Sequence, residues 1–241
     1  VSIIAIIVAL GAVYFASQST DQKTELDNVF EQFISDYSKS YSSESEFKFR
    51  RGVFEANLEK AKILNELNPE AEFGVTIFSD FTETEMTQRM GLIPLTTEDE
   101  SIPVHTAMSA PSANIDWRSS LSPVQNQGSC GSCWAFSATA AFEARYKLHA
   151  NPHSLYKFSE QEVVDCTSPN YGCNGGWMHD AFAYLKSAKF CTLSSYPYHA
   201  KKETCKAASC GGIANDSGYS FVGKNEQQMY DALKTGPLSI A

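Results

Sequence analysis

The residues with the most chemical reach lie in one stretch, Pro123 to Ala138, PVQNQGSCGSCWAFSA. The segment Gln127-Gly128-Ser129-Cys130-Gly131-Ser132 is a Gly/Ser-rich loop, which supplies left-handed backbone conformations and turn hydrogen bonds. From Trp134 the character changes: Ala135, Phe136, Ala138, Ala140, Ala141, Phe142 and Ala144 predict a buried helix ending near His149. Cys133 stands at the junction. A helix N-terminus carries roughly half a positive charge and unpaired N–H groups, so it stabilises a thiolate, the nucleophilic form of cysteine. Gln127, at the head of the same loop, brings a side-chain amide, a hydrogen-bond donor. The chemistry expected is nucleophilic attack by the Cys133 thiolate.

The elements that must position this pair are read from the rest of the chain. At 241 residues and 43% hydrophobic content the chain can bury a sizeable core in one or two domains. A net charge of −9, with no basic cluster beyond Lys201-Lys202, argues against nucleic acid as a partner. All 7 cysteines fall at or after Cys130, a composition shift that marks a boundary. Residues 1–16, VSIIAIIVALGAVYFA, are apolar without a charge, about the length of a secretory h-region and short of the ~20 residues of a membrane span. With small residues at Ala12, Ala16 and Ser17 they predict a signal peptide over 1–19, and the missing Met and basic start predict a truncated N-terminus. A signal-anchor helix is the alternative.

From Thr24 to Asp80 the pattern is helical. Leu26, Phe30, Phe33 and Tyr37 share a face of a short helix capped by Thr24 with Asp27. Ser43 with Glu46 predicts a capping box for a longer helix, with Phe47, Phe54, Leu58, Ala61 and Leu64 or Asn65 along one side and Glu46–Arg50 as an i,i+4 ion pair. Residues 91–111 open a Pro-containing, acidic linker with no sustained period. Beyond the nucleophile helix, Ser159 with Glu162 predicts another capping box. Gly175-Gly176 beside a cysteine lets backbone approach a ligand, and Trp177, Ala181, Leu185 and Ala188 form a further helical stripe. A strand is expected over 218–222, a helix capped by Asn225 and stopped by Gly236, and a strand beginning at Leu238.

QNQGSCGSCWAFS resembles the active-site signature of papain-like cysteine peptidases of the cathepsin L group. That resemblance implies an α+β, two-lobed papain-like fold, with the helical lobe complete and the β-rich lobe only begun. It makes Cys133 the nucleophile of a cysteine endopeptidase zymogen working through a thioester, with Gln127 in the oxyanion hole. A His and an Asn follow the nucleophile of the family by about 130–150 residues, so they are expected beyond Ala241 and the chain as it stands is expected to be inactive. His105, His149, His153, His179 and His199 are each read as surface or linker residues. The helix after Ser43 resembles the family's pro-region: Glu46, Arg50, Phe54, Asn57 and Asn65 match its interrupted pattern, with Ala61 at the Ile position. Gly74, Phe78 and Asp80 match a second pattern, with Thr76 where the family has Asn. The implied organisation is a signal peptide (1–19), a helical inhibitory pro-region (24–90), an activation linker (91–111) and an incomplete peptidase domain (112–241).

The same resemblance places Gly175, Gly176, Trp177, Met178 and Ala241 around the substrate, so that Leu or Phe is favoured one residue before the scissile residue. It pairs Cys130 with Cys173 and Cys166 with Cys205, leaving Cys191 and Cys210 as a third bridge outside the common pattern. Only Cys130–Cys133 has C-x-x-C spacing and no second pair completes a zinc site, so no metal is expected, and the chemistry needs no cofactor. The expected partners are peptide and protein substrates and the chain's own pro-segment, on a monomer with no stable membrane anchor. Asn215-Asp216-Ser217 is an N-glycosylation acceptor, in keeping with the secretory pathway, either lysosome or digestive vacuole or export. Acid is expected to loosen the pro-segment as Glu46, Asp80 and the many linker carboxylates gain protons near pH 4. The alternative from another class is a catalytically silent binding or inhibitory protein whose functional module is the pro-segment.

Overall fold

Helical periodicity and buried aromatic side chains organise both parts of the chain. The computed structural model describes residues 25–93, 104–105, 114–150 and 153–240. Thr24, Ala241 and the stretch read as a signal peptide lie outside the described residues, as does most of the linker. The chain divides into two compact units between Met86 and Thr87. No helix of the described residues is long and apolar enough to cross a membrane.

In the first unit, helix α1 (25–36) and helix α2 (Glu44–Leu67) bury Phe30, Phe33 and Phe54 between them, with Leu26, Tyr37 and Leu58 packed around the three rings. The Phe30 and Phe33 ring centroids lie 5.1 and 4.9 Å from that of Phe54, within the range of favourable aromatic pairs. Ser43 caps α2 by accepting from Glu46 N at 3.1 Å. The Glu46 carboxylate does not close the box on Ser43. It accepts from Ser42 N at 2.7 Å and Ser42 Oγ at 2.6 Å, two donors that hold it below the usual carboxylate range.

The apolar stripe of α2 thins beyond Leu58, where polar residues take over and grip the returning segment by its backbone. Asn57 Nδ2 donates to Ser79 O and Phe81 O at 3.0 and 2.9 Å. Asn65 clasps Phe73 through both its N–H and its carbonyl, each at 2.7 Å, so Asn65 is a surface clamp rather than part of the stripe. Asp80 is 3% exposed and accepts from Lys39 Nζ at 2.7 Å and Tyr41 Oη at 3.0 Å. Thr76 Oγ1 accepts from Phe78 N at 3.3 Å, the same short turn an Asn side chain makes, so Thr in place of Asn keeps the turn. At Gly74 an added Cβ would meet nothing within 4 Å, and the fold gives no steric reason for glycine there.

The Glu46–Arg50 pair is present but long, 3.9 Å from Arg50 Nε. The main partner of Arg50 is Glu85, bound by both guanidinium arms at 2.8 and 2.7 Å, with a further bond to Asp80 O at 3.0 Å. A bidentate fork outcompetes a single exposed i,i+4 contact. Glu85 closes its own capping box with Thr82 at the start of α3 (Glu83–Thr87), and Arg50 above all holds its carboxyl at about 2. A carboxylate depressed this far contributes stability above its unfolded pKa and loses it only as pH falls toward 2. The Arg50–Glu85 tie therefore survives pH 4. Glu46 is likewise held low, by Ser42 first, a direction that opposes its protonation.

In the second unit, helix α4 (Cys133–His149) is packed by α5 (Glu160–Cys166) and α6 (Met178–Ser187). Trp134, Ala135, Ala138, Phe142, Phe158, Val163, Val164, Ala181, Leu185 and Phe190 form one buried cluster. α7 (Glu226–Leu233) begins at Asn225, whose side chain accepts from Gln228 N at 2.9 Å, and its carbonyl at Leu233 receives Trp117 Nε1 at 2.7 Å. Two-residue strands β1 (Val104–His105) and β2 (Phe221–Val222) pair in parallel, Val104 opposite Phe221. So part of the stretch read as an unstructured linker forms a strand; two residues carry no period, and pairing across more than a hundred positions decides it. The strand expected from Leu238 is not formed over 238–240. Pairing needs a neighbour, and there Ile240 N and O bond to Ser137 Oγ instead.

Ser159 caps α5 by accepting from Glu162 N at 3.0 Å, yet Glu162 again leaves its box open. Its wholly buried carboxylate accepts from Cys191 N at 2.6 Å and Tyr184 Oη at 2.9 Å. Its neighbour Glu160, 4% exposed, is pushed up to about 7 by burial first and by the Glu143 charge second. A raised acid contributes stability that is complete below its unfolded pKa near 4.5 and is lost as pH rises through 7. Burial raises Glu143 and Glu162 as well. The second unit is expected to be less stable at pH 8 than at pH 5, Glu160 alone contributing on the order of 3 kcal/mol. Thermal unfolding at the two pH values checks this, and Glu160→Gln should flatten the difference; an equal gap in that variant contradicts the assignment.

Candidate active site

Cys133 is the first residue of α4 and is half-buried; among the described residues it is the free cysteine. The other six form the pairs Cys130–Cys173, Cys166–Cys205 and Cys191–Cys210, with Cα atoms 4.6, 4.9 and 5.8 Å apart. The first pair ties the loop before Cys133 to the loop carrying Gly175 and Gly176. Gly131 N donates to Cys173 O at 2.9 Å beside it, and Trp134 Nε1 donates to Gly172 O at 3.1 Å. The nucleophile helix and the glycine loop thus form one rigid body around a buried indole. Gly176 is glycine for that reason too: an added Cβ would stand 2.7 Å from the Trp134 ring and 2.6 Å from Asn170.

The Gln127 side chain points back into its own loop, where Nε2 donates to Cys130 O at 2.8 Å. Its second bond, to Arg89 O at 2.7 Å, reaches the end of the stretch assigned from the sequence to the pro-region. Arg89 in turn donates to Gly128 O. From Arg89 the backbone runs across the site: Gly176 N donates to Gly91 O at 3.0 Å, Leu92 forms a parallel bridge with Gly176, and Trp177 Nε1 donates to Ile93 O at 2.6 Å. Gly91 lies directly on Gly131: an added Cβ at 91 would stand 1.9 Å from Gly131 O, and one at 131 would stand 2.6 Å from Cys173 O and 3.2 Å from Gly91 Cα. Gly175, with φ +117, faces Gly91 O and the Ile93 side chain, so its left-handed backbone and missing Cβ make room for this strap. No single motif announces residues 89–93; the one available signal is Gly91 placed between apolar residues.

Met178 and Trp177 line a cavity of about 800 Å³ together with Leu92, Phe182 and residues 217–222. Gly175 and Gly176 are not among its lining residues, since the strap covers them, and Ala241 lies outside the described residues. His179 departs from its reading as a surface residue. It is half-buried, stacked on Trp177 with centroids 5.8 Å apart and edge-on to Phe221, with Asp180 at 3.7 Å. The Trp177 and Phe221 rings bury it, and the second comes from a segment more than forty positions away, which its sequence position does not reveal. His149, His153 and His199 are exposed. Asn215 is exposed, and Glu46, Arg50, Phe54, Asn57, Asn65, Gly74, Phe78 and Asp80 all belong to the first unit.

Two family patterns match the chain: the Papain family cysteine protease over residues 111–241 and the Cathepsin propeptide inhibitor domain (I29) over residues 30–86. Cysteine proteinase 15A of Pisum sativum is 37% identical over 238 residues, 92% of this chain and 65% of that protein. Caricain of Carica papaya is 34% identical over 97% of this chain and 70% of its own length. Among solved structures, the recombinant stem bromelain precursor is similar at 32% identity with a TM-score of 0.72, covering 88% of this chain and 70% of that one. Digestive procathepsin L 3 of the Tenebrio molitor larval midgut is similar at 29% identity and a TM-score of 0.71, covering 87% of this chain and 70% of that one. The chain spans 65% of the pea protein's length. With a free thiol at a helix N-terminus, and a propeptide-type segment preceding it in the sequence, the chain belongs to the papain family of cysteine proteases.

Proposed function

We propose that this chain is the inhibitory and nucleophile-bearing part of a cysteine endopeptidase zymogen that hydrolyses peptide bonds through a thioester. The observation that carries the reading is the half-buried, unpaired Cys133 at the first position of α4, with the Gln127 amide anchored in the loop that leads to it. The Cys133 thiolate adds to the scissile carbonyl, forming a C–S bond and an oxyanion that Gln127 Nε2 and the Cys133 N–H receive. The C–N bond then breaks as an imidazolium protonates the amine, and water cleaves the thioester. By the family resemblance that imidazole and its Asn partner come some 130–150 residues after the nucleophile, so residues 1–241 alone are expected to be inert toward peptides.

The strap at 89–93 supports an autoinhibitory role. Its Arg89 carbonyl takes the Gln127 amide, and its parallel bridge to Gly176 presents the backbone in the reverse sense to a substrate, which by resemblance runs antiparallel there. Leu92 reaches the cavity that Met178 lines, in keeping with a preference for Leu or Phe one residue before the scissile one. A signal peptide over 1–19 and use of the Asn215 acceptor would both fit passage through the secretory pathway.

The test is hydrolysis of a Phe-Arg fluorogenic peptide by the chain extended to the length of its relatives, after processing. Cys133→Ala is expected to lower kcat by at least about 10⁴-fold, the scale seen when a nucleophile is removed, without changing the melting temperature. Full activity in that variant would sink the reading.

A further inference from the structure

We propose that Tyr198 is a positioning residue that sets the oxyanion donor against the nucleophile; this rests on the roles proposed for Gln127 and Cys133. Its hydroxyl donates to Gln127 O at 2.8 Å and lies 2.6 Å from Ser132 Oγ. A phenol has one proton. With that proton on Gln127 O, Ser132 is the donor of the short bond, because its other acceptor, Cys130 O, is 3.4 Å away. Gln127 Nε2 also donates to Cys130 O. The four residues close a circuit in which Tyr198 bridges the backbone of the donor and the residue immediately before the thiol.

Three features make this circuit more than a turn. Ser132 is the N-cap of α4 and wholly buried, yet its hydroxyl caps none of the helix N–H groups, the ordinary use of a serine there. It is spent on Tyr198. The tyrosine is itself held rigidly: the wholly buried Gln161 of α5 accepts from His199 N and donates to Lys201 O, both at 2.7 Å. The Tyr198 ring stands edge-on to Phe136 of α4 with centroids 4.9 Å apart. Finally, the same segment touches the Gln127 loop beside the bond, since Gly128, at φ +64, would place a Cβ 2.9 Å from Ala200 Cβ. Burial pushes the Tyr198 phenol up, so its proton stays in place at ordinary pH. A hydroxyl fixed from α5 therefore measures the distance between loop and helix.

Tyr198→Phe keeps the ring and removes the bridge. In the processed enzyme of full family length, kcat is expected to fall about tenfold with KM within about twofold, the pattern of an interaction felt in the transition state. Ser132→Ala should act in the same direction, and the double variant should be no worse than the poorer single, since both break one circuit. In the chain of 241 residues, amide hydrogen exchange of Gly128 to Ser132 should rise in Tyr198→Phe and stay unchanged in Tyr184→Phe, which loses a buried phenol bond elsewhere. Unchanged kcat, a rise in KM instead, multiplicative losses in the double variant, or unchanged exchange would overturn the proposal. The readings fail separately: hydrolysis that survives Cys133→Ala removes the acyl-transfer role, whereas its loss alongside a fully active Tyr198→Phe removes only the bridge.

Discussion

Gly91→Val should uncover Cys133 without cutting the chain. A side chain at 91 would run into the Gly131 backbone, and Gly131 cannot retreat because its N–H is bonded to Cys173 O and its neighbour Cys130 is disulfide-bonded. Forcing extra atoms into a packed contact costs roughly 1–3 kcal/mol, and about 1.4 kcal/mol is a factor of ten in population. The strap should therefore lift in a tenfold to hundredfold larger share of molecules, freeing the Gln127 amide from Arg89 O and Gly176 N from Gly91 O. Iodoacetamide modification of Cys133 in the chain of 241 residues should accelerate by a similar factor, while Gly74→Val, which meets nothing within 4 Å, leaves the rate alone. Equal rates in the wild type and Gly91→Val would mean that the strap does not shield the thiol.

Asp80→Ala should unfold the first unit. The carboxylate is 3% exposed and holds both Lys39 Nζ and Tyr41 Oη, and Lys39 also donates to Ile77 O at 2.8 Å. Removing one partner of a buried pair leaves an uncompensated charge and typically costs about 3–5 kcal/mol. A helical unit with a core of three phenylalanines has a total stability of similar size. The circular dichroism melt should lose its contribution from residues 25–86 at 37 °C, with the second unit still folded, and Asp80→Asn should fall between, keeping an acceptor for Tyr41. A two-unit melt unchanged by Asp80→Ala would show that Arg50–Glu85 and the Asn57 and Asn65 clamps suffice.

These two expectations come from different levels of information. The nucleophile, its helix and the first helical unit were legible in the sequence because they rest on local physics: an Ala/Phe run after a Gly/Ser loop, a Ser cap three residues before a Glu, an i,i+3,i+4 stripe of aromatic residues. Each is decided within a few turns of chain. Where a local signal offered a choice of partners, it misled. Glu46 and Glu162 both sit correctly for a capping box, yet neither returns to its cap, because Ser42 lies nearer for one and buried donors at Cys191 and Tyr184 wait for the other.

Which distant group meets each of these depends on how the chain packs in three dimensions. Arg50 prefers Glu85, 35 positions away, to Glu46 on its own helix, since two parallel hydrogen bonds outweigh one long contact. Two glycines 40 residues apart, Gly91 and Gly131, touch because neither carries a Cβ. The tyrosine at 198 reaches the active-site loop because Gln161 fixes the backbone just after it, at His199 N and Lys201 O. Sequence determines residue chemistry and helix period over neighbours; contacts between separated segments depend on distances that no spacing in the chain encodes.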